Sequence, residues 1–120
     1  MSHALAIAGI SGFTGRRVLP LLEGPEAKGA TSRLLLRKKT AATAPWSGDP
    51  RVVGVDLLDE TALAIALAGV DTLVCLVGTT RAQFRPATTT EPEVSYETVD
   101  IGIPRAMARA GANVGAKRFV

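Results

Sequence analysis

The stretch Gly9-Ile10-Ser11-Gly12-Phe13-Thr14-Gly15 places three glycines at intervals of three residues. An apolar run over residues 4–8 precedes it and predicts a buried strand, and residues 13–22 have the pattern of a helix. A strand, a glycine-rich turn and a helix in this order typically begin an open α/β fold. Gly9 would permit a sharp exit from the strand, and Gly15 would let the helix pack closely against it.

Such a turn is suited to a phosphate group. Because Gly12 has no Cβ, a pyrophosphate can approach the backbone, and amides at the start of the helix can bind it. We therefore predict a dinucleotide site. The spacing G-x-x-G-x-x-G is one residue looser than G-x-G-x-x-G, so an ordinary tight turn is the alternative. No Gly-Lys-Ser/Thr follows the glycines, which excludes a Walker loop.

The composition of the 120 residues fits one folded domain, because 47% are hydrophobic and only 21% are charged. No apolar run reaches the ~18 residues that a membrane helix needs, and no signal peptide is evident. A single cysteine excludes an internal disulfide and is typical of a reducing compartment, so we predict a cytoplasmic protein without membrane partners. The net charge of +3, with 4% aromatic residues, does not indicate nucleic-acid binding.

Apolar runs alternate with helical patterns along the chain. The predicted strands are 4–8, 32–36, 51–55, 72–77 and 117–120, and the predicted helices are 13–22, 60–68 and 94–111. Asp59 is a suitable N-cap for the second helix, and Pro104 would kink the third or mark the start of a new segment. Residues 37–50 are expected to form a loop or broken helix with Trp46 packed inward. This order predicts a doubly wound parallel sheet of the Rossmann type, with strand order 3-2-1-4-5 and a ligand crevice between strands 1 and 4.

The chain ends at Val120, inside the fifth predicted strand. We therefore expect residues 1–120 to be a single NAD(P)-binding domain, truncated at strand 5 and a fragment of a longer protein. An uncovered fifth strand would be an unprotected edge, so we also expect copies of the chain to associate through it.

The residues after the second strand bear on the choice of dinucleotide. NAD sites typically place Asp or Glu about 20 residues past the glycines, where the carboxylate binds the ribose 2′-hydroxyl. Here Arg37, Lys38 and Lys39 follow the strand, and none is acidic. These cations suit a 2′-phosphate, so NADP is predicted over NAD. The alternative is a solvated run of charge.

Two further positions follow strands on the same edge of the predicted sheet. Asp56 would accept a hydrogen bond from the adenine amino group, and Leu57 would pack on the ring. Gly78 and Thr79 leave strand 4 where the nicotinamide ribose would lie. The alternatives are a turn residue ahead of a helix for Asp56 and a plain turn for Gly78.

These residues together resemble a known family. Gly9 to Arg16, then Arg37, Asp56-Leu57, Val99-Asp100 and the end of the chain from Gly115 are similar to the atypical short-chain dehydrogenase/reductase superfamily, in particular its NmrA-like and isoflavone-reductase-like NAD(P)-binding branches. The resemblance covers nearly the whole chain and implies the cofactor half of such a protein. It implies that the backbone from Ser11 through Phe13 to Thr14 holds the pyrophosphate, that Arg37 binds the 2′-phosphate, and that Asp56 with Leu57 binds adenine.

The catalytic members of that superfamily carry a Tyr-x-x-x-Lys pair after the fifth strand. The one tyrosine here, Tyr96, is followed four residues later by Asp100, so we predict no catalytic residue in this chain. His3 has no Cys, Asp or Glu at ligand spacing, and we predict no metal site. Cys75 stands among Leu and Val and is predicted to be an inert, buried thiol.

Three functions remain open from the sequence. The first is the NADP-binding domain of a reductase or epimerase whose catalytic residues lie beyond Val120, acting on an unknown small molecule. The second is a non-catalytic NAD(P)-sensing regulatory module of the NmrA type. The third is another adenosine-ligand site, such as that of a methyltransferase, against which Arg37 in place of an acid argues.

Overall fold

The computed structural model describes residues 3–23, 30–77 and 101–120. Five strands form one parallel sheet in the order β3-β2-β1-β4-β5. The strands are β1 (His3–Ala8), β2 (Ala30–Leu36), β3 (Val52–Gly54), β4 (Thr72–Cys75) and β5 (Arg118–Phe119), and the helices are α1 (Phe13–Leu22), α2 (Lys38–Ala41), α3 (Glu60–Ala66) and α4 (Ile103–Asn113). The predicted fold and strand order are confirmed. None of the helices in these ranges is long and apolar enough to cross a membrane.

The predicted boundaries hold best where a cap or turn fixes them. Helix α1 has the predicted bounds, and the Asp59 carboxylate caps α3 by accepting a hydrogen bond from the amide of Ala62 (3.1 Å). Pro104 lies in the first turn of α4, where its missing N–H costs nothing. Residues 94–100 of the predicted long helix lie outside the described residues.

The inner strands divide their side chains between two cores, because successive residues of a strand point to opposite faces. One face packs against α3 and α4, and its buried residues include Ala6, Ala8, Leu35, Leu63, Leu73 and Met107. The other face packs against α1 and the turn after α2, and its buried residues are Ile7, Ile10, Leu34, Leu36 and Trp46. Both faces of the sheet are therefore covered, as a parallel sheet requires.

Small residues let helix α4 approach the sheet closely. Its buried positions recur at helical spacing, at Ile103, Ala106, Met107, Ala110 and Gly111. A Cβ at Gly111 would overlap the side chain of Leu73 on β4. This close approach of α4 buries the side chain of Leu73.

Polar groups join the elements at the amino edge of the sheet. The Asp71 carboxylate accepts a hydrogen bond from the amide of Ala4 (3.2 Å), and its backbone carbonyl accepts from the amide of Lys117 (2.8 Å). The Arg51 guanidinium donates to Asp49 (2.7 Å) and to Glu23 (3.1 Å), so these charges at the amino edge form ion pairs.

Replacing Leu63 with alanine tests the larger core. Leu63 is fully buried, and its truncation leaves a cavity, so we expect Leu63→Ala to lower the free energy of unfolding by about 2–4 kcal/mol. Ile65 lies on the same helix but is 75% exposed, so Ile65→Ala is the matched control and should change stability by less than about 0.5 kcal/mol. Urea denaturation measures both, and equal losses would contradict the assigned helix face.

The Asp49–Arg51 pair predicts a pH-dependent stability. The hydrogen bonds from Arg51 lower the pKa of Asp49, so its stabilising effect is present above the pKa of an unfolded aspartate, about 3.9, and is lost as the pH falls through the folded-state value. Asp49→Asn should therefore destabilise the protein at neutral pH, by less than about 1 kcal/mol for a partly exposed pair. In urea denaturation the difference from the unmodified protein should vanish in acid, and a difference that persisted there would contradict the assignment.

Candidate functional site

Strands β1 and β4 end side by side at the carboxyl edge of the sheet. Ala8 pairs with Cys75, and the amide of Leu76 donates to the carbonyl of Ala8 (2.8 Å). The helix that follows β1 packs on one face of the sheet, and α4 packs on the other. Open α/β sheets bind ligands where successive helices diverge to opposite faces in this way, and the sequence predicts the ligand crevice at this position between strands 1 and 4.

Gly9 begins the turn out of β1, and two constraints require glycine there. Its φ is +91°, in the left-handed region that side chains disfavour. A Cβ at Gly9 would also lie 2.6 Å from the carbonyl carbon of Leu76 and 2.7 Å from the nitrogen of Val77. The turn is therefore packed directly against the backbone that leaves β4.

The rest of the turn is closed by backbone contacts. The amide of Gly12 donates to the carbonyl of Gly9 (3.1 Å), and Gly12 is the N-cap of α1. A Cβ at Gly15 would overlap the carbonyl oxygen of Gly9 and the Cα of Ile10, and Ile10 itself is fully buried. The helix thus begins in contact with the turn, with no room for a side chain between them.

The start of α1 offers unused hydrogen-bond donors. Within the described part of the chain, the amides of Phe13, Thr14 and Gly15 have no acceptor, and no side chain caps the helix. The first turn of α1 carries no acidic residue. Free amides at the positive end of a helix dipole favour an anion, which makes this turn suited to a phosphate.

Two arginines to which the sequence analysis assigns no role extend back toward the turn. The Nε of Arg16 donates to the carbonyl of Ser11 (2.8 Å). The Nη1 of Arg17 donates to the carbonyl of Phe13 (2.9 Å), and its guanidinium lies 3.7 Å from the centre of the exposed Phe13 ring. The one sequence feature that could have indicated a role for these arginines is their position directly after the third glycine.

A second group of cations lies at the carboxyl end of β2. Leu36 is buried, whereas Arg37, Lys38 and Lys39 are exposed. None of the ion pairs in the described ranges involves these three residues. Helix α2, which starts at Lys38, packs beside Gly54 at the end of β3 and fixes the backbone that carries the cations.

Asp56 and Leu57 follow β3 and have different surroundings. Asp56 is exposed, and its Oδ1 accepts a hydrogen bond from the amide of Leu58 (3.0 Å). Asp56 therefore stabilises the turn ahead of α3, which was the alternative role. Leu57 is only 6% exposed and belongs to the core that packs on α3. Its side chain is therefore used by the core, and only its backbone is left for a ligand.

The remaining predicted residues contribute little to the described site. Gly78, Thr79 and Tyr96 lie outside the described residues. Cys75 is half-buried beside the crevice, and burial raises the pKa of its thiol, which favours the unreactive protonated form at neutral pH. Among residues 3–23, 30–77 and 101–120, no group of three or more His, Cys, Asp or Glu side chains is placed to hold a metal ion.

Comparison with known proteins identifies the family of the chain that carries this turn. A family model described as NAD(P)H-binding matches residues 9–120, beginning at Gly9. The chain belongs to this NAD(P)H-binding family. The chain is thus an NAD(P)-binding domain with a Rossmann-type sheet. No curated protein matches the sequence.

Solved structures share the fold of this domain. Uronate dehydrogenase from Agrobacterium tumefaciens, as a mutant complexed with NAD, has a TM-score of 0.67 and 22% identity over 99% of this chain and 40% of its own. A dTDP-glucose 4,6-dehydratase from Streptomyces venezuelae, with NAD bound, has a TM-score of 0.68 and 23% identity over 97% of this chain and 38% of its own. A UDP-N-acetylglucosamine 4-epimerase from Bacillus cereus has a TM-score of 0.64 and 16% identity over 96% of this chain and 37% of its own. The chain spans about two fifths of the length of these structures.

The close packing at Gly15 predicts a severe effect of one methyl group. Gly15→Ala forces the turn away from the helix, because backbone atoms cannot rotate out of the way, and should destabilise the protein by about 2 kcal/mol or more. Gly48→Ala is the control, since no atom lies within 4 Å of its Cβ position, and should be neutral within about 0.5 kcal/mol. Thermal and urea unfolding measure both. An unchanged stability for Gly15→Ala would contradict the contact.

Proposed function

We propose that this chain binds NADP in preference to NAD and is the cofactor-binding domain of a short-chain-type oxidoreductase or epimerase. The observation that carries the choice of NADP is Arg37, which is exposed at the carboxyl end of β2 and has no ion-pair partner among the described residues. The first acid after β2 in the sequence is Asp49, and Arg51 binds its carboxylate at the amino edge of the sheet. No carboxylate of β2 or α2 is thus available for the 2′-hydroxyl of NAD.

The chemistry of the 2′-phosphate fits this end of the sheet. The planar guanidinium of an arginine donates two parallel hydrogen bonds to two oxygens of a phosphate, and Lys38 adds a second positive charge beside it. NAD lacks this group and gains little from these cations. The preference therefore comes from electrostatic attraction at one end of the ligand.

The other predicted contacts complete the proposal. The backbone of the glycine turn holds the pyrophosphate through the unused amides described above, and the residues assigned to it are Gly9, Ser11, Gly12, Phe13, Thr14 and Gly15. Asp56 uses Oδ2 for the adenine amino group, because Oδ1 is bonded to the turn, and Leu57 contributes backbone only. Gly78 and Thr79 stay predictions for the nicotinamide ribose.

The activity of the whole protein is proposed by analogy with solved relatives. Dehydrogenases, a dehydratase and an epimerase share the fold, and two of those named above carry NAD, which supports a dinucleotide without indicating which. A non-catalytic NAD(P)-sensing module of the NmrA type is the second candidate. A Tyr-x-x-x-Lys pair after the fifth strand of the whole protein would favour the enzyme, and its absence there would favour this module.

Charge reversal at Arg37 tests the cofactor preference. We expect Arg37→Glu to weaken NADP binding by about 1–3 kcal/mol and to leave NAD binding nearly unchanged, because only NADP carries the 2′-phosphate. Isothermal titration calorimetry with NADP, NADPH, NAD and NADH gives the dissociation constants. Lys117→Glu is the matched control, since it changes the net charge equally but lies beside the amino edge of the sheet, where its amide bonds to Asp71.

Three outcomes distinguish the possibilities. Selective loss of NADP binding in Arg37→Glu supports the proposal. Equal loss of NADP and NAD binding would show that Arg37 does not recognise the 2′-phosphate. Absence of binding of all four dinucleotides to the unmodified protein would reject the cofactor assignment itself.

A further inference from the structure

Arg16 is held across the glycine turn by its own side chain. Its Nε donates to the carbonyl of Ser11, five residues earlier and outside helix α1, at 2.8 Å. The residue is exposed, and among the described residues no acceptor takes the N–H groups of its two terminal nitrogens. The guanidinium is therefore positioned beside the turn with four donors unused.

Arg17 has the same chemistry but a different arrangement. Its Nη1 donates to the carbonyl of Phe13, which is four residues earlier within the same helix, and its guanidinium stacks on the Phe13 ring. Arg17 thus has partners along its own helix, which account for its conformation. Among the described residues, the side chain of Arg16 has a single hydrogen bond, to the turn.

The electrostatics near Arg16 are unfavourable without an anion. The amino end of α1 carries a partial positive charge, cations there are destabilising, and the first turn contains no acidic residue to compensate. No ion pair in the described part of the chain includes Arg16 or Arg17. An anion in contact with the free amides of Phe13, Thr14 and Gly15 would relieve this repulsion and accept from Arg16 as well.

We propose that Arg16 is a ligand of the cofactor's pyrophosphate, a contact that rests on the proposed binding of a dinucleotide at this turn. The bond to Ser11 fixes the guanidinium through Nε and leaves its two terminal nitrogens for phosphate oxygens. Arg16 projects from the helix whose amides bind the pyrophosphate, whereas Arg37 follows a different strand. Arg16 therefore contributes to the affinity for NAD and NADP alike, and Arg37 discriminates between them.

Substitution of Arg16 separates these roles. We expect Arg16→Gln to raise the dissociation constants of both NAD and NADP by a common factor of about ten, the effect of losing one charge-assisted contact. Arg16→Lys keeps the charge without the planar fork and should give a smaller increase for both. Arg17→Gln is the matched control and should change neither constant more than about twofold, the scatter expected of an exposed site.

Two further measurements exclude a purely structural effect. Thermal unfolding checks that each variant folds, and Arg16→Lys decides the question if Arg16→Gln does not fold. The NAD affinity of the unmodified protein should fall as salt is added, and that dependence should be weaker in Arg16→Gln, because a phosphate contact has been removed.

The results separate failure of this contact from failure of dinucleotide binding. If the unmodified protein binds dinucleotides and Arg16→Gln binds NAD and NADP as tightly, Arg16 is not a ligand. If Arg16→Gln loses NADP affinity alone, it contacts the 2′-phosphate and the pyrophosphate assignment is wrong. If the unmodified protein binds neither dinucleotide, the proposed function fails first and the contact with it.

Discussion

The contact of backbone with backbone at the exit of β1 is the constraint on which the rest of this structure depends. Gly9 in the turn packs against the backbone that leaves β4, and Gly15 in the first turn of α1 packs against the backbone of the glycine turn. Backbone atoms form both contacts, and the first amides of α1 have no acceptor among the described residues. A single Cβ at either glycine would separate elements that the sheet holds together, and the binding geometry would change with them.

Particular arginines at the two edges of the sheet differ in their ion pairing. At the amino edge, Arg51 forms ion pairs with Asp49 and Glu23. At the carboxyl edge, Arg16 and Arg37 have no carboxylate partner among the described residues. A net charge of +3 says little by itself, but these two arginines suit an anionic ligand at the carboxyl edge.

Much of this architecture could be predicted from the sequence, because it depends on local patterns. Apolar runs of strand length and the capping Asp59 determine the elements, and their order determines the sheet. Predictions were weakest where a residue's role depends on contacts distant in sequence. Leu57 follows a strand at the right place for adenine but is buried in the core, and burial cannot be inferred from its position. The role proposed for Arg16 could not be predicted either, because the hydrogen bond to Ser11 that positions its guanidinium exists only in the folded chain.

The smaller of the two cores joins both ends of the proposed cofactor site. Ile10 of the glycine turn, Leu36 just before Arg37, and Trp46 are buried in the same cluster. Trp46 is the one tryptophan of the chain. Its indole emission therefore arises from a single place, behind both the pyrophosphate turn and the strand end that carries Arg37, and gives the domain an intrinsic fluorescent reporter of how this core is packed.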